Sequence, residues 1–127
     1  MDPKEFVAAI AAEPFAWGKN DCGSIADRWI ALKAGRSPLD VYGRRHSTAE
    51  EGKAWLSEPG GVAIAVNRVM RANGFQRTKN PQPGDLGLVI FDGRMCIAIH
   101  AGDIWFSRHE DGLIGAPLDN FWKAWAV

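Results

Sequence analysis

The chain is short of cysteine, carries no net charge and has no long apolar run. Each shortage closes off a class of protein. Two cysteines in 127 residues are too few for a disulfide scaffold or a four-thiolate zinc site. Fifteen basic and fifteen acidic residues cancel, so the basic excess expected of a nucleic-acid binder is missing. No stretch approaches the ~20 apolar residues that span a bilayer. Met1-Asp2-Pro3-Lys4-Glu5-Phe6 lacks the basic region and apolar run of a signal peptide, and the expectation is synthesis in the cytoplasm. Gly60-Gly61 lacks the following Lys-Ser/Thr of a phosphate-binding loop. Cys22, Cys96 and His100 offer three metal-ligand types, but no C-x-x-C or H-x-x-x-H spacing supports them. No metal and no cofactor is expected.

What is present fits an ordinary globular domain, with 46% apolar and 24% charged residues. The length suits one core, so residues 1–127 read as a single domain. Asp2-Pro3 with Glu5 resembles an N-cap, a first-turn proline and an acidic N3, followed by the stripe Phe6, Val7, Ile10 and Ala11. Asp21 caps a second helix over Cys22 to Ala34 that stops at Gly35. Its apolar character makes it the expected central helix. An Arg- and Gly-rich loop runs through Tyr42 to His46. Ser47 with Glu50 reads as a capping box opening a helix through Trp55 and Leu56, and another helix is expected over Val62 to Ala72. After the turn Pro81–Asp85 the pattern changes period. Strands are expected over Leu86–Phe91, Met95–Ala101, Ile104–Ser107 and Gly112–Ala116, with Phe121–Val127 docking on the core. Helices first and an antiparallel meander second define an α+β domain.

Cys22 is the leading candidate for chemistry. At a helix N-terminus, backbone N–H groups and the macrodipole favour a thiolate, and a histidine from elsewhere would serve as base. The alternative is a small buried thiol. His100 lies inside an apolar strand and needs a partner or a site there. His46 follows two arginines and reads as solvated, as does the Gly43-Arg44-Arg45 loop. His109, between Arg108 and Glu110, reads as exposed. Strand alternation puts Cys96, Ala98 and His100 on one face and Met95, Ile97 and Ile99 on the other. The small, polar set is expected to face the helix that carries Cys22. The tryptophans, Trp29, Trp55 and Trp122 among them, are expected to pack in the core.

Three stretches resemble the NlpC-type cysteine peptidases, papain-like enzymes that cut the peptide stems of bacterial cell walls. Phe15-Ala16-Trp17-Gly18-Lys19-Asn20-Asp21-Cys22-Gly23 is similar to the family's nucleophile motif. Gln82-Pro83-Gly84-Asp85-Leu86 is similar to the Pro-Gly-Asp-Leu that opens its first core strand, and Cys96-Ile97-Ala98-Ile99-His100-Ala101-Gly102 to its His-Val-Gly-Ile-Tyr-x-Gly strand. The resemblance spans residues 14 to 108. The opening, together with the Lys123-Ala124-Trp125 ending, is similar to a small branch found in tailed-phage and prophage tail modules. The resemblance implies a papain-like fold, with N-terminal helices packed on a C-terminal antiparallel β-meander.

Mapped residue by residue, Cys22 takes the nucleophile position, flanked by Asp21 and Trp17. The family's catalytic histidine falls on Cys96, and His100 falls on the tyrosine four residues later, ~13 Å along the strand. The third polar group falls near Ser107 or His109. A thiol at 96 does not act as a base in the way imidazole does. Two readings stay open at this point. In one, the chemistry has decayed and the domain is a structural or assembly component of a phage tail tip or baseplate, with other tail and hub proteins as partners. In the other, Cys22 attacks an acyl carbon of peptidoglycan with His100 or His109 as base, during phage entry. Either way the expected location is the cytoplasm of the infected bacterium during synthesis, then the virion tail. The mapping also implies that Cys22 and Cys96 are near neighbours, able to form a disulfide where the surroundings are oxidising.

Overall fold

The computed structural model describes residues 1–127. The N-terminal half is helical because each helix carries its own start signal. Asp2 accepts from the Glu5 N–H at 2.9 Å and opens α1, Pro3–Ala11. Asp21 opens α2, Cys22–Ala34, which ends at Gly35 in the left-handed region (φ 78°). Ser37, with Pro38 at the first helical position, opens the short α3, Pro38–Tyr42, within the stretch expected to be loop. Thr48 caps α4, Ala49–Leu56, accepting from the Glu51 N–H at 3.2 Å. The capping pair is therefore Thr48 with Glu51, one residue beyond the expected Ser47 with Glu50. The last helix, α5, spans Gly61–Ala72.

The C-terminal half is one antiparallel sheet of five strands: β1 Leu86–Phe91, β2 Arg94–His100, β3 Trp105–His109, β4 Gly112–Ala116 and β5 Phe121–Trp125. Their spatial order is β4-β3-β2-β1-β5. The first four strands form a meander, and the C-terminal segment returns as a fifth strand beside β1. The architecture is α+β. Leu86 pairs with Ile99 and Val89 with Cys96 across β1 and β2. By contrast, β2 and β3 pair only at Ile99–Phe106 and His100–Trp105. Beyond that point the strands part, and Ser107 Oγ spans the gap to the Ile97 carbonyl at 2.6 Å.

Both faces of the sheet are covered. On the helical side Leu86, Leu88, Ile97, Ile99, Phe106 and Trp125 pack with Phe6, Ile10, Ile25, Trp29, Ile30 and Met70. The opposite side closes on itself, as Val89, Ala98, Ala116 and Ala124 gather around Trp105, with Cys96 and Phe121 at the edge. This reverses the expected orientation of β2. Ile97 and Ile99 face α2, while Cys96, Ala98 and His100 face the Trp105 cluster. Bulky branched side chains fill the wide gap between sheet and helix, and small ones make room for a single indole.

Gly87 shows how tight that second cluster is. A Cβ there would stand 2.7 Å from the Trp105 ring. Gly87→Ala is expected to cost about 1–3 kcal/mol through overpacking. Urea denaturation measures this as a lower midpoint with unchanged slope.

Candidate functional site

The site is built around the N-terminus of α2. The loop that leads into it is tied down by Asn20, whose Oδ1 accepts from the Ala16 N–H at 2.7 Å and whose amide donates to the Pro14 carbonyl at 2.8 Å. Asp21 then gathers four donors. Its carboxylate accepts from the Gly18 N–H at 2.7 Å, the Ser24 N–H at 3.2 Å, Ser24 Oγ at 2.8 Å and His46 Nε2 at 2.8 Å. Burial works against its ionisation, but the His46, Ser24 and Gly18 donors outweigh it and hold the carboxyl below its ordinary value.

His46 is thus buried and partnered, not solvated as its sequence neighbours suggested; its side chain is 8% exposed. The Asp21 bond raises its pKa against the opposing effect of burial. Its ring packs edge-on against Trp55, and its Nδ1 is buried with no partner. The arginines before it remain largely exposed, as expected, though each is paired. Arg45 pairs with Asp27 and Asp40, and Arg44 pairs with Glu58 and lies over the Trp55 ring.

Cys22, the first residue of α2, packs against the helical core where β2 has parted from β3. Burial and then the Asp21 carboxylate push its thiol up to about 12. The N–H groups of Ile97 and Gly23 oppose this weakly, and Cys96 adds a little to it. Burial and the Asp21 carboxylate thus oppose the helix-terminal activation expected for Cys22. No imidazole nitrogen is within hydrogen-bond reach of its sulfur. Cys96 is raised by its own burial, and both thiols are free.

The other expected site residues scatter. His100 stands against Trp105, with ring centroids 5.1 Å apart, on the far face of the sheet. Its Nδ1 accepts from the Gly102 N–H at 3.1 Å, and burial pushes its pKa down. It closes the turn there, on the face of the sheet away from Cys22. Ser107 is bound to the Ile97 carbonyl. His109 is half-buried at the edge of the site, not fully exposed. Trp17 shares the cavity wall with Cys22 and stands edge-on to Phe15.

These elements line a cavity of about 130 Å³, open on one side and walled by Phe15, Trp17, Cys22, His46, Trp55, Val66, Met70, Ile97, Arg108 and His109 among others. Ser24 does not complete a hydrolytic triad with His46 and Asp21. Ser24 Oγ and His46 Nε2 both serve the same carboxylate, and Ser24 is itself buried. No group of three or more His, Cys, Asp or Glu is placed to hold a metal ion. His46 and Arg108 escaped the sequence reading. Arg108 carried a signal, since alternation puts it on the face of Phe106 and a charge on a core face calls for an explanation. His46 carried none, because its burial depends on where α3 returns the chain.

Fold and site together define a small α+β domain with one thiol-flanked apolar cavity. The chain belongs to the family described as a domain of unknown function, DUF6950, which it matches over residues 2–127. No curated protein and no solved structure matches it. No helix is long and apolar enough to cross a membrane.

Asp21→Asn is expected to cost about 3 kcal/mol, because it leaves a buried imidazole without its counter-charge. His46 holds its proton more tightly when folded, so its share of stability is complete below about pH 6.5 and fades as pH rises through its folded value. Asp21 behaves oppositely, with its share complete above about pH 4 and fading as pH falls. Urea denaturation over a pH series should show the gap between wild type and variant widest near pH 5–6 and narrower on either side.

Proposed function

We propose that this chain is a papain-like domain of the NlpC type whose hydrolytic centre is out of service, acting as a structural or assembly component of a phage tail tip or baseplate. One observation carries the loss of chemistry. No imidazole nitrogen lies within hydrogen-bond reach of the thiol at the nucleophile position, and burial beside Asp21 pushes that thiol up to about 12. The residue at the family's histidine position, Cys96, supplies a second raised thiol in place of an imidazole. The helix-on-sheet arrangement with Cys22 at the start of α2 supports the papain-like part of the reading. The Phe15–Gly23 opening and the Lys123-Ala124-Trp125 ending support the tail part.

A second reading is favoured by His46. An imidazole whose proton is held by Asp21 shares the cavity wall with Cys22. In that reading the domain is a cysteine peptidase or amidase acting on peptidoglycan stem peptides, with His46 in place of the expected His100 or His109.

The pH dependence of Cys22 alkylation separates the two, read by peptide mass spectrometry with Cys96 as internal reference. The first reading expects both thiols to react slowly, with no inflection below about pH 9. An inflection below about pH 8, with Cys22 far outpacing Cys96, would establish a thiolate–imidazolium pair and the second reading. Cell-wall digestion abolished by Cys22→Ala would then follow. Mass spectrometry of purified tails from the encoding strain should find the chain in stoichiometric amount, and its absence from tails and their assembly intermediates would overturn the tail role.

A further inference from the structure

Four buried side-chain nitrogen or oxygen atoms have no hydrogen-bond partner within the chain: His46 Nδ1, Arg108 Nε, His109 Nδ1 and Asn73 Oδ1. The first three belong to residues that wall the same cavity. Buried polar groups in folded proteins are overwhelmingly satisfied, so three on one cavity mark a place where something else is meant to bind.

The charges of the wall say what kind of group it is. Its acidic side chains are already matched. Asp21 is hydrogen-bonded to His46 at 2.8 Å and Asp27 to Arg45 at 3.2 Å, while Glu110 has an ion-pair contact with Lys53 at 3.6 Å, longer than a hydrogen bond. Arg108 is not. It is 9% exposed, and its two terminal nitrogens donate to the carbonyls of Ile10 at 2.9 Å and Glu13 at 2.8 Å. No carboxylate pairs with it. The carbonyl end of α1 supplies at most about half a counter-charge, and a buried guanidinium normally has a full one. Its Cζ lies 5.6 Å over the Phe15 ring, leaving Nε–H as the unspent donor. His46, with Nε2 committed to Asp21, keeps Nδ1 free on the same wall, where it becomes a donor in the protonated ring that Asp21 favours. His109 Nδ1 has the same kind of long ion-pair contact, 3.6 Å from Asp111, so Arg108 and His46 carry the argument.

The rest of the wall is apolar. Trp17, Trp55, Val66 and Met70 offer an aromatic and aliphatic lining to a body that displaces about 130 Å³. A closed apolar cavity of about 150 Å³ holds benzene; this one is slightly smaller but open on one side, so a ring can enter with its carboxylate near the mouth.

We propose that this cavity binds a small apolar carboxylate, its body against Trp17 and Trp55 and its anionic head answering Arg108 and His46. The inference rests on the cavity, the unpaired Arg108 Nε–H and the partnerless imidazole nitrogens beside it, and stands apart from either reading of Cys22.

Benzoate tests it, with benzyl alcohol as the neutral probe of similar size, in titrations of the full chain followed by calorimetry and tryptophan fluorescence. Benzoate is expected to bind saturably at one site per chain, with benzyl alcohol at least ~10-fold weaker. Ala65→Leu, which puts extra side chain into the cavity, should abolish binding. His46→Gln keeps a donor for Asp21 but removes Nδ1, and should weaken benzoate at least ~3-fold without touching the neutral probe. Arg108 also holds the end of α1, so Arg108→Gln is judged only if its thermal melt stays cooperative, and it should then erase the preference for benzoate. Equal affinity for the two probes, binding unaffected by Ala65→Leu, or no saturable binding of benzoate would each overturn the proposal.

Discussion

The Asp21 carboxylate is the group on which the arrangement around the cavity depends. It caps α2 through the Ser24 N–H, closes the Gly18 turn, fixes the Ser24 hydroxyl and holds His46. These four donors come from three parts of the chain, two of them only a few residues away and one twenty-five residues downstream. Without the carboxylate the α2 entry loop and the α3–α4 connection have no common anchor. A single cap is worth about 1 kcal/mol. A buried carboxylate that is also an ion-pair partner is worth more to the fold when intact than any one bond suggests, because each donor would otherwise be left desolvated.

That anchor has an electrostatic consequence for its neighbour. A cysteine at a helix N-terminus ordinarily gains from unsatisfied N–H groups. Here Asp21 takes the Ser24 N–H for itself and sets a negative charge beside Cys22. Burial against β2 does the rest, and the thiol is driven up to about 12. The opposite holds one helical connection away. The same carboxylate lifts His46, favouring its charged form. A helix cap therefore disfavours one ionised group and favours another on the same cavity wall.

The sequence was legible where local rules decide. Asp2, Asp21 and Gly35 marked helix ends that stand as read, and the strand Gly112–Ala116 has the expected bounds. Alternation correctly sorted β2 into two sets. It could not say which set meets the helices, because both faces of this sheet are buried and the deciding residue, Trp105, lies on the next strand. Cys96 and His100 were consequently placed on the wrong side. The short helix α3 hides in a stretch whose Gly and Arg content reads as loop, although Ser37-Pro38-Leu39-Asp40 has the composition of a capped start. Since α3 and its connection deliver His46 to Asp21, that one local omission also concealed the imidazole.

Arg108 is the remaining piece, and its position follows from strand geometry. The splaying of β3 from β2 beyond Ile99–Phe106 lets Cys22 and Ser107 reach the exposed edge of β2 at Ile97. It also carries the far end of β3 beneath the carbonyl end of α1, where Arg108 ties down Ile10 and Glu13. A neutral donor such as glutamine would satisfy carbonyls there without bringing a charge into the wall. Guanidinium supplies five N–H groups in a fixed fork, and two carbonyls leave part of that fork and most of its charge unanswered. A residue kept only to close the end of α1 would be oversized in charge for the task. The excess points into the one cavity whose acids are already paired, so the physical logic of α1, the splayed strand and the cavity wall converges on the same side chain.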